Sequence, residues 1–349
     1  MASAAGSRAV KQGILSLEEA RGNRVRLSWP ADKSFPGLAE IFDLPENSGS
    51  AAHIVTLNNY PMNRVVPRVD WTSFVQTWDL AANTCPSAYE KTNRKKAEKA
   101  LQRLREDAMA MLDRIISENI LSLRGAAGVF PACSELDDII LFYPGKDGGE
   151  RGEEAARFIF PRNQERKKEG EPNPCLADFI LPRELFEKRR EAMAPNPAAL
   201  LGLYALSAGF GLREAEEEYR NAGDDYGALL LAGLAGALAE AFSEEIHQRL
   251  SNALNASAAG IRPAFGGPAC PDHGDKETAF ALLDAEKRCG LSLTDTAMIV
   301  PAASACGMYI AHPDSFYFSI GYVGEDQFND WAGRKGLGSE EAGRRLGLL

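Results

Sequence analysis

The stretch GIRPAFGGPACPDHGDKE, from Gly260 to Glu277, combines prolines, glycines, an arginine, a cysteine and a histidine, and it ends where a helical pattern begins. Proline fixes the backbone φ angle and glycine permits tight turns, so this composition predicts a stiff, turning loop. Backbone of this kind is costly to build, which raises the question of what it holds in place. Arg262 is the residue for which we expect a functional role, because such a loop is a poor place for an arginine without a partner.

Composition and charge exclude several classes of protein. The chain has 349 residues, of which 45% are hydrophobic, and this is ample for a large core. A formal net charge of −10 argues against a nucleic-acid-binding protein, which normally presents a basic stripe. Two apolar runs, Pro197–Leu212 and Ala228–Ala239, fall short of the roughly 20 residues that span a bilayer. We therefore expect neither nucleic-acid binding nor membrane insertion.

The cysteines bear on the cellular compartment and on metal binding. Their scatter without CxxC spacing favours reduced thiols in the cytoplasm over a disulfide framework. The six are Cys85, Cys133, Cys175, Cys270, Cys289 and Cys306. Cys270 and His273 form a C-x-x-H half-site, and Cys306 with His312 is a candidate second half. Structural zinc usually uses tighter spacings on both halves, so a metal site is not favoured.

Helical periodicity and capping signals predict helices along much of the chain. The predicted helices are Ser16–Arg24 with Ser16 as its cap, Thr92–Glu118, Arg213–Asn252 with a break at Gly223, Asp275–Gly290, Glu325–Lys335 and Ser339–Leu346. Prolines interrupt the chain between the first of these helices and Asp70. We interpret that segment as an extended wrap over the core.

Short apolar runs between glycines and charged turns predict the strands. They are Gly125–Phe130, Asp138–Phe142, Ala156–Phe160, Leu176–Leu181, Met308–Ala311 and Phe316–Val323. Helices and strands alternate irregularly, without a βαβ rhythm, which favours an α+β fold with a mainly antiparallel sheet flanked by helices. We expect one large domain over residues 25–349, preceded by an approach segment at residues 1–24.

The quoted loop resembles GIRPAPGYPACPDHTEK, a signature of the activation (reactivation) domain of cobalamin-dependent methionine synthase. The likeness continues through LLDAEKRCGLSLTDTAMIVPAASACGMYIAHPDSFYF at residues 282–318. Upstream, VDWTSFVQTWDL at residues 69–80 is similar to the family's IDWTPFFQTWEL. DDIILFY, NPCLADF and LAEAFSEEIH lie between them in the family's order, so the resemblance covers about residues 14–349 in colinear blocks.

This resemblance implies a function as well as a fold. Domains of the family bind S-adenosylmethionine, whose methyl group traps reduced cobalt as methylcobalamin after a flavodoxin-type donor has returned one electron to cob(II)alamin. Because this chain begins with its own Met1 and shows no segment for homocysteine, folate or cobalamin, we expect the corrinoid to be carried by a separate subunit of a split methionine synthase. Methyl transfer is chemistry of the two small molecules, so no general acid or base is expected.

S-adenosylmethionine offers a carboxylate, an ammonium, a sulfonium and an adenosine to a binding site. The guanidinium of Arg262 suits the carboxylate because it forms paired charge-assisted hydrogen bonds. Asp70 and Glu240 suit the positive charges and the ribose, and Tyr317 adds an aromatic face. The expected binding residues are Asp70, Glu240, Arg262, Pro263, Ala264, Tyr317 and Phe318, of which the resemblance implies nucleotide contact for Asp70, Arg262 and Tyr317 and proximity for Glu240.

Each of these residues also has a purely structural interpretation. Asp70 is equally suited to cap a helix, and Glu240 to lie at a solvated helix end. Tyr317 alternates with Phe318 on a predicted strand, where sheet packing alone explains an aromatic residue. Arg262 is the hardest of the four to explain by structure alone.

The sequence also departs from the family pattern at three places. Gly267 stands where the family's PGYP motif has a tyrosine, which is thought to lie over the corrinoid. Phe318 stands where the family's DS-x-YY motif has its second tyrosine, so this chain lacks that hydroxyl. The connection between Leu250 and Gly260 is short. These departures keep two alternatives open: a module that senses S-adenosylmethionine or docks on a corrinoid protein without methyl transfer, and a reactivator of another corrinoid methyltransferase.

Overall fold

The computed structural model describes residues 13–29, 41–42, 53–78, 90–144, 151–192, 199–253 and 260–348. The strands in these ranges are β1 (Ile54–Asn58), β2 (Ser122–Glu135), β3 (Asp138–Pro144), β4 (Arg151–Ile159), β5 (Ala199–Phe210), β6 (Ser292–Leu293), β7 (Ile299–Val300) and β8 (Ser304–Ile310). The helices are α1 (Leu17–Gly22), α2 (Met62–Val65), α3 (Trp71–Gln76), α4 (Glu90–Ser117), α5 (Arg183–Glu191), α6 (Leu212–Asn221), α7 (Asp225–Ala253), α8 (Asp275–Leu283), α9 (Ala285–Cys289), α10 (Glu325–Lys335) and α11 (Ser339–Arg345).

An antiparallel sheet forms the centre of the fold. Its strands follow the order β4-β3-β2-β5-β8, and β1 pairs with the first half of β2, on the side of β2 opposite to β5. β2 and β5 pair over most of their lengths, from Ser122 opposite Phe210 to Ala132 opposite Ala199. The predicted α+β architecture with a mainly antiparallel sheet is therefore confirmed.

The two faces of the sheet carry separate hydrophobic cores. One face packs on α8, α9 and the segment around Phe179, with Phe130, Phe158 and Leu203 buried in it. The other face packs on α4, α6 and the long helix α7, with Leu112 and Phe242 among its buried side chains. Apolar side chains buried on both faces account for the apolar character of the central strands.

The N-terminal helix α1 is fixed to the C-terminal part of the chain. Ser16 and Glu19 form a reciprocal capping box at its start, as the sequence predicted for Ser16. Arg21 then forms ion pairs with Asp137 at 2.7 Å and with Asp330 at 2.9 Å. The division of the chain near residue 24 stays a prediction.

Helix α7 is long and apolar enough to cross a membrane, and it is the one such helix among the described residues. The apolar run within it ends at Glu240, but the helix itself continues for another three turns. In the fold, 61% of its most apolar window is buried against the sheet and the neighbouring helices. That burial is typical of a core helix.

Two predicted strands are wrong. Leu176–Phe179, within the predicted strand Leu176–Leu181, is a turn of 3₁₀ helix that follows Cys175, whose N–H donates to Asp178. Its apolar side chains are buried in the core, and only the end of the run, at Leu181, accepts a backbone hydrogen bond from Ser134 of β2. The segment Phe316–Val323 is irregular. Its alternating apolar residues pack partly on Phe179 and partly in a small cluster around Trp331, which explains a period of two without a strand.

Candidate functional site

The loop that begins at Gly260 runs along the outer edge of β8 like an additional short strand. Ile261 exchanges two backbone hydrogen bonds of 3.0 Å with Ile310. The carbonyl of Pro263 then accepts the Met308 N–H at 3.0 Å, and Phe265 donates to Cys306 at 3.2 Å. The loop therefore satisfies the free edge of the sheet, which would otherwise present unpaired backbone groups.

Strand-like pairing also decides which way the loop side chains point. Ile261 and Phe265 are buried in the core on the α8 side of the sheet. Because side chains alternate along an extended chain, Arg262 and Ala264 point to the opposite face, where α7 lies. The loop thus holds Arg262 at the junction of β8 and α7.

A glycine on β8 makes this close approach feasible. A Cβ atom added at Gly307 would lie 2.4 Å from the Pro263 carbonyl oxygen and 2.6 Å from the hydroxyl of Tyr204. Both distances are shorter than real contacts of a Cβ atom, so a larger residue would force the loop away from the strand.

The guanidinium of Arg262 is held by one face of α7. Nη2 donates to Glu240 Oε1 at 2.9 Å and to Glu244 Oε2 at 3.2 Å, and Nη1 donates to the Ser243 hydroxyl. The side chain is only 12% exposed. Burial disfavours the guanidinium charge, but Tyr204 and the two glutamates outweigh it and raise the pKa of Arg262. The arginine therefore stays charged and ties the loop to the helix.

A cavity of about 690 Å³ opens beside this arginine. Its floor is the small-residue face of α7, and its walls come from α3, from the segment before α3 and from Arg262. It is lined by Arg68, Asp70, Ser73, Phe74, Thr77, Ala232, Gly233, Gly236, Ala237, Glu240, Ala241, Glu244 and Arg262. Its volume lies in the range of small-molecule sites, and polar groups converge over an apolar floor as such sites require.

Asp70 lies in the wall of the cavity and also caps α3. One carboxylate oxygen accepts the N–H groups of Thr72 and Ser73, and the other accepts the Ser73 hydroxyl at 2.6 Å. These hydrogen bonds lower the pKa of Asp70, so it is ionised at neutral pH. The structure confirms that Asp70 caps a helix, one of the two roles considered from the sequence. The same residue lines the cavity.

Tyr317 contacts Arg262 but is not among the residues that line the cavity. Its hydroxyl accepts the backbone N–H of Arg262 at 2.9 Å, while the ring is 64% exposed. Three of the predicted residues, Asp70, Glu240 and Arg262, thus line one cavity, and Tyr317 touches the backbone of one of them.

The remaining predicted residues lie differently. The carbonyl of Pro263 is engaged by β8, and that of Ala264 accepts Gly267 N–H at 3.0 Å. These carbonyls are therefore less free for a ligand than the sequence suggested, although Ala264 itself is exposed. Phe318 packs towards Phe179, with ring centroids 6.2 Å apart, and is not among the cavity-lining residues.

The second half of the loop is anchored by buried charges. Lys335 of α10 donates to both Asp272 and Asp275 at 2.5 Å. Lys276 Nζ contacts His273 Nδ1 at 2.8 Å and donates to the Ala297 carbonyl at 3.0 Å. The described residues hold no group of three or more His, Cys, Asp and Glu side chains placed for a metal ion. The charges near His273 thus stiffen the loop.

Comparison with known proteins agrees with this geometry. A sequence model of the "Vitamin B12 dependent methionine synthase, activation domain" family matches residues 61–336, which include the cavity, the loop and β8. The chain belongs to this family. The membership confirms the resemblance seen in the sequence and places the protein in the context of a B12-dependent methyltransferase.

A solved structure of an activation domain shares the fold. The crystal structure of the MetH reactivation domain bound to AdoHcy is 30% identical to this chain, with a TM-score of 0.76. The match covers 96% of this chain and 98% of that one. The shared fold therefore extends over nearly the whole length of both chains.

The activation-domain loop of this chain has a tight turn at the first departure noted in the sequence. Gly267 donates to the Ala264 carbonyl and pairs with Cys270. A Cβ atom at Gly267 would lie 2.8 Å from the Ala264 oxygen. A tyrosine at this position would therefore require the turn to move. The shortened connection after Leu250 lies largely outside the described residues.

Several residues of the site were missed in the sequence. Ser243 and Glu244 hold Arg262, and Arg68 lines the cavity. Tyr204 is buried and interacts with Arg262. The sequence did contain one signal for part of this site. Glu240 and Glu244 are four residues apart, and small residues precede them by one and two turns, so all of them share one helix face. The contacts of Tyr204 and Arg68 depend on tertiary structure and left no such signal.

Proposed function

We propose that this chain binds S-adenosylmethionine in the cavity between α3 and α7 and serves the reactivation of a cobalamin-dependent methionine synthase. The observation that carries the proposal is the convergence of Asp70, Glu240 and Arg262 on one cavity in a chain of the activation-domain family. The AdoHcy bound to the related MetH domain supports the choice of ligand.

The chemistry of the cavity fits this ligand. Asp70 and Glu240 present negative charge to the ammonium and sulfonium groups, and the apolar floor suits the adenosine. Arg262 and Arg68 are the two arginines that line the cavity. We assign the ligand carboxylate to Arg262, whose Nε atom is buried without a hydrogen-bond partner among the described residues.

Tyr317, which binds the backbone of Arg262, and the exposed Ala264 are further candidate contacts. Pro263 and Phe318, which were also expected, do not line the cavity.

The role of the protein is to orient the methyl donor and to exclude water from it. With cob(II)alamin reduced by one electron from a flavodoxin-type donor, the partner's corrinoid would be the acceptor of the methyl group. S-adenosylmethionine held by Asp70, Glu240 and Arg262 would give up its methyl carbon and leave as S-adenosylhomocysteine, with the electrons of the broken carbon–sulfur bond on sulfur. The residues described here hold the donor during this step and exchange no proton with it.

We further propose that the cobalamin is carried by a separate subunit of a split methionine synthase and that both act in the cytoplasm. The acidic net charge and the buried cysteines are in keeping with a cytoplasmic enzyme component.

A transfer experiment tests the proposal. The purified chain is mixed with the cobalamin-binding subunit, a reductant and S-adenosylmethionine labelled on its methyl group, and methylcobalamin is assayed for label. We expect label with the wild-type chain and with Arg213→Ala, which changes an 86%-exposed arginine on α6. Arg262→Ala should lose most of the transfer. Equal labelling with and without the wild-type chain would refute the proposal.

A second function is favoured by the turn at Gly267. The absence of a side chain there, together with the crowding by the Ala264 carbonyl, is in keeping with a module that binds S-adenosylmethionine, or docks on a corrinoid protein, without methyl transfer. Calorimetry combined with the transfer assay separates the two. Binding of S-adenosylmethionine without label transfer to any corrinoid partner, including that of another methyltransferase, would favour the second function.

A further inference from the structure

The ring of His312 joins two segments that lie far apart in the sequence. Its Nδ1 atom accepts the N–H of Asp314 at 3.1 Å, and its Nε2 atom lies 3.1 Å from the carbonyl oxygen of Ser28. Because Nδ1 accepts a backbone N–H, the ring proton is on Nε2, and Nε2 donates to Ser28. The ring is buried, and Trp29 packs on it edge to face with centroids 4.5 Å apart. One nitrogen is therefore used locally, and the other reaches across 284 residues.

The local contacts of His312 build the turn that leads to Tyr317. The carbonyl of His312 accepts from the N–H and the hydroxyl of Ser315, at 3.0 Å and 2.7 Å. Together with the side-chain contact to Asp314, these hydrogen bonds fix the direction of the chain directly after β8. Two residues beyond this turn, the Tyr317 hydroxyl accepts the Arg262 N–H at 2.9 Å. The position of that hydroxyl therefore depends on the turn.

The backbone N–H of Arg262 points away from the sheet and needs a partner outside it. On one side of it Ile261 exchanges two hydrogen bonds with Ile310, and on the other side the Pro263 carbonyl accepts from β8. Backbone groups alternate in direction along a strand-like segment, so the Arg262 N–H faces outwards, where Tyr317 meets it. The ring of Tyr317 is 64% exposed, so its own packing does little to keep the hydroxyl in place.

We propose that His312 is a positioning residue that couples the N-terminal segment at residues 24–29 to the ligand site. With Nε2 bound to Ser28, the turn delivers the Tyr317 hydroxyl to the Arg262 N–H and fixes the backbone from which the guanidinium reaches the cavity. The effect on ligand binding rests on the proposed function, whereas the effect on the Arg262 N–H does not. Loss of the Ser28 contact should weaken S-adenosylmethionine binding about two- to tenfold, the contribution of one hydrogen bond.

Three full-length variants test the coupling. In His312→Asn the side-chain oxygen can still accept the Asp314 N–H, but the shorter side chain cannot reach Ser28. Trp29→Leu loosens the same contact from the N-terminal segment and takes the place of His312→Asn if thermal melts show that variant to be unfolded. His53→Asn is the matched control, because His53 is a half-buried histidine whose ring packs edge to face on an aromatic side chain of β2, outside the lining of the cavity.

Amide hydrogen exchange in the ligand-free proteins, measured by NMR, reports directly on the Arg262 N–H. We expect this amide to exchange about two- to tenfold faster in His312→Asn than in wild type or His53→Asn, while the Ile261 amide, which is bound to β8, stays unchanged. Calorimetry with S-adenosylmethionine should show the matching loss of affinity. That loss should disappear when Tyr317→Phe is already present, because both changes break the same hydrogen bond.

Equal exchange of the Arg262 amide in His312→Asn and His53→Asn would overturn the inference and leave the proposed function intact. A loss of affinity as large in the Tyr317→Phe background as in the wild-type background would overturn it as well. Absence of S-adenosylmethionine binding by the wild type would refute the proposed function, and the exchange of the Arg262 amide would still decide whether His312 positions Tyr317.

Discussion

Substitution of Gly236 by leucine should fill part of the cavity between α3 and α7, the proposed binding site, without harming the fold. Gly236 lies on the cavity floor in the middle of α7, one turn before Glu240. A Cβ atom added there would meet nothing within 4 Å, so the new side chain extends into the cavity and not into a neighbour. A glycine in a helix interior costs about 0.8–1 kcal/mol relative to alanine, so the leucine should stabilise the free protein slightly.

The same Gly236→Leu substitution should weaken the binding of S-adenosylmethionine. Four extra carbon atoms on the floor of a cavity of about 690 Å³ must be accommodated by the ligand or by α3. Overpacking of this kind typically costs about 1–3 kcal/mol, which corresponds to a loss of roughly 5- to 150-fold in affinity. Calorimetry with S-adenosylmethionine measures the loss, and a thermal melt measures the stability.

Gly333→Leu provides the matched control. Gly333 is also a helical glycine with nothing within 4 Å of an added Cβ atom, but it lies on α10, outside the lining of the cavity. It should gain the same small stability and keep wild-type affinity. If Gly236→Leu is stable and binds S-adenosylmethionine within twofold of Gly333→Leu, the cavity is not the binding site.

Three further results are expected. Gly307→Ala should destabilise the protein by about 1–3 kcal/mol in urea unfolding and increase amide exchange in the loop, because its methyl group collides with the Pro263 carbonyl. Arg162→Met, which removes a 1%-exposed arginine from Asp137 and Asp178, should cost about 3–5 kcal/mol by the same measurement, since two buried carboxylates lose their partner. Neighbouring His247 and Arg262 lower the pKa of Glu244 to about 2 from 4.5, so its stabilising effect is complete above pH 4.5 and is lost as the pH falls towards 2. The difference in urea midpoint between wild type and Glu244→Gln should narrow over that interval, and an unchanged difference would contradict this pKa.

Local signals in the sequence predicted most of the described helices, although α2, α3 and α5 were not predicted. These signals failed where tertiary contacts decide the structure. The capping box at Ser16 and the spacing of α4 are properties of a few neighbouring residues, and both helices were correctly predicted. Strand β5 was not predicted: its apolar run, Pro197–Leu212, contains glycines at positions 202, 209 and 211, and glycine is usually a sign of an interruption. In the fold, Gly202 lies against Tyr309, and a Cβ atom at Gly209 would overlap the Ala302 carbonyl. These glycines permit close approach within a strand, and only the neighbouring chain reveals that use.

In the candidate site too, roles set by neighbouring residues could be predicted from the sequence, and contacts between distant segments could not. Asp70 could be assigned a capping role from its neighbours, whereas its place in the cavity wall required the position of α7. Resemblance to the family brought Glu240 and Arg262 forward, but it gave no indication that the two residues bind each other.

The composition of the loop can now be explained by the register that it must keep. Arg262 reaches α7 only because Ile261 and Phe265 are buried on the other side of the sheet. A slip of one residue against β8 would exchange these directions and bury the arginine in an apolar core. Prolines limit the conformations of the loop, and Gly307 provides the space in which Pro263 can pair. Lys335 holds the far end through Asp272 and Asp275, so the loop is fixed at both ends and the arginine between them has one position available.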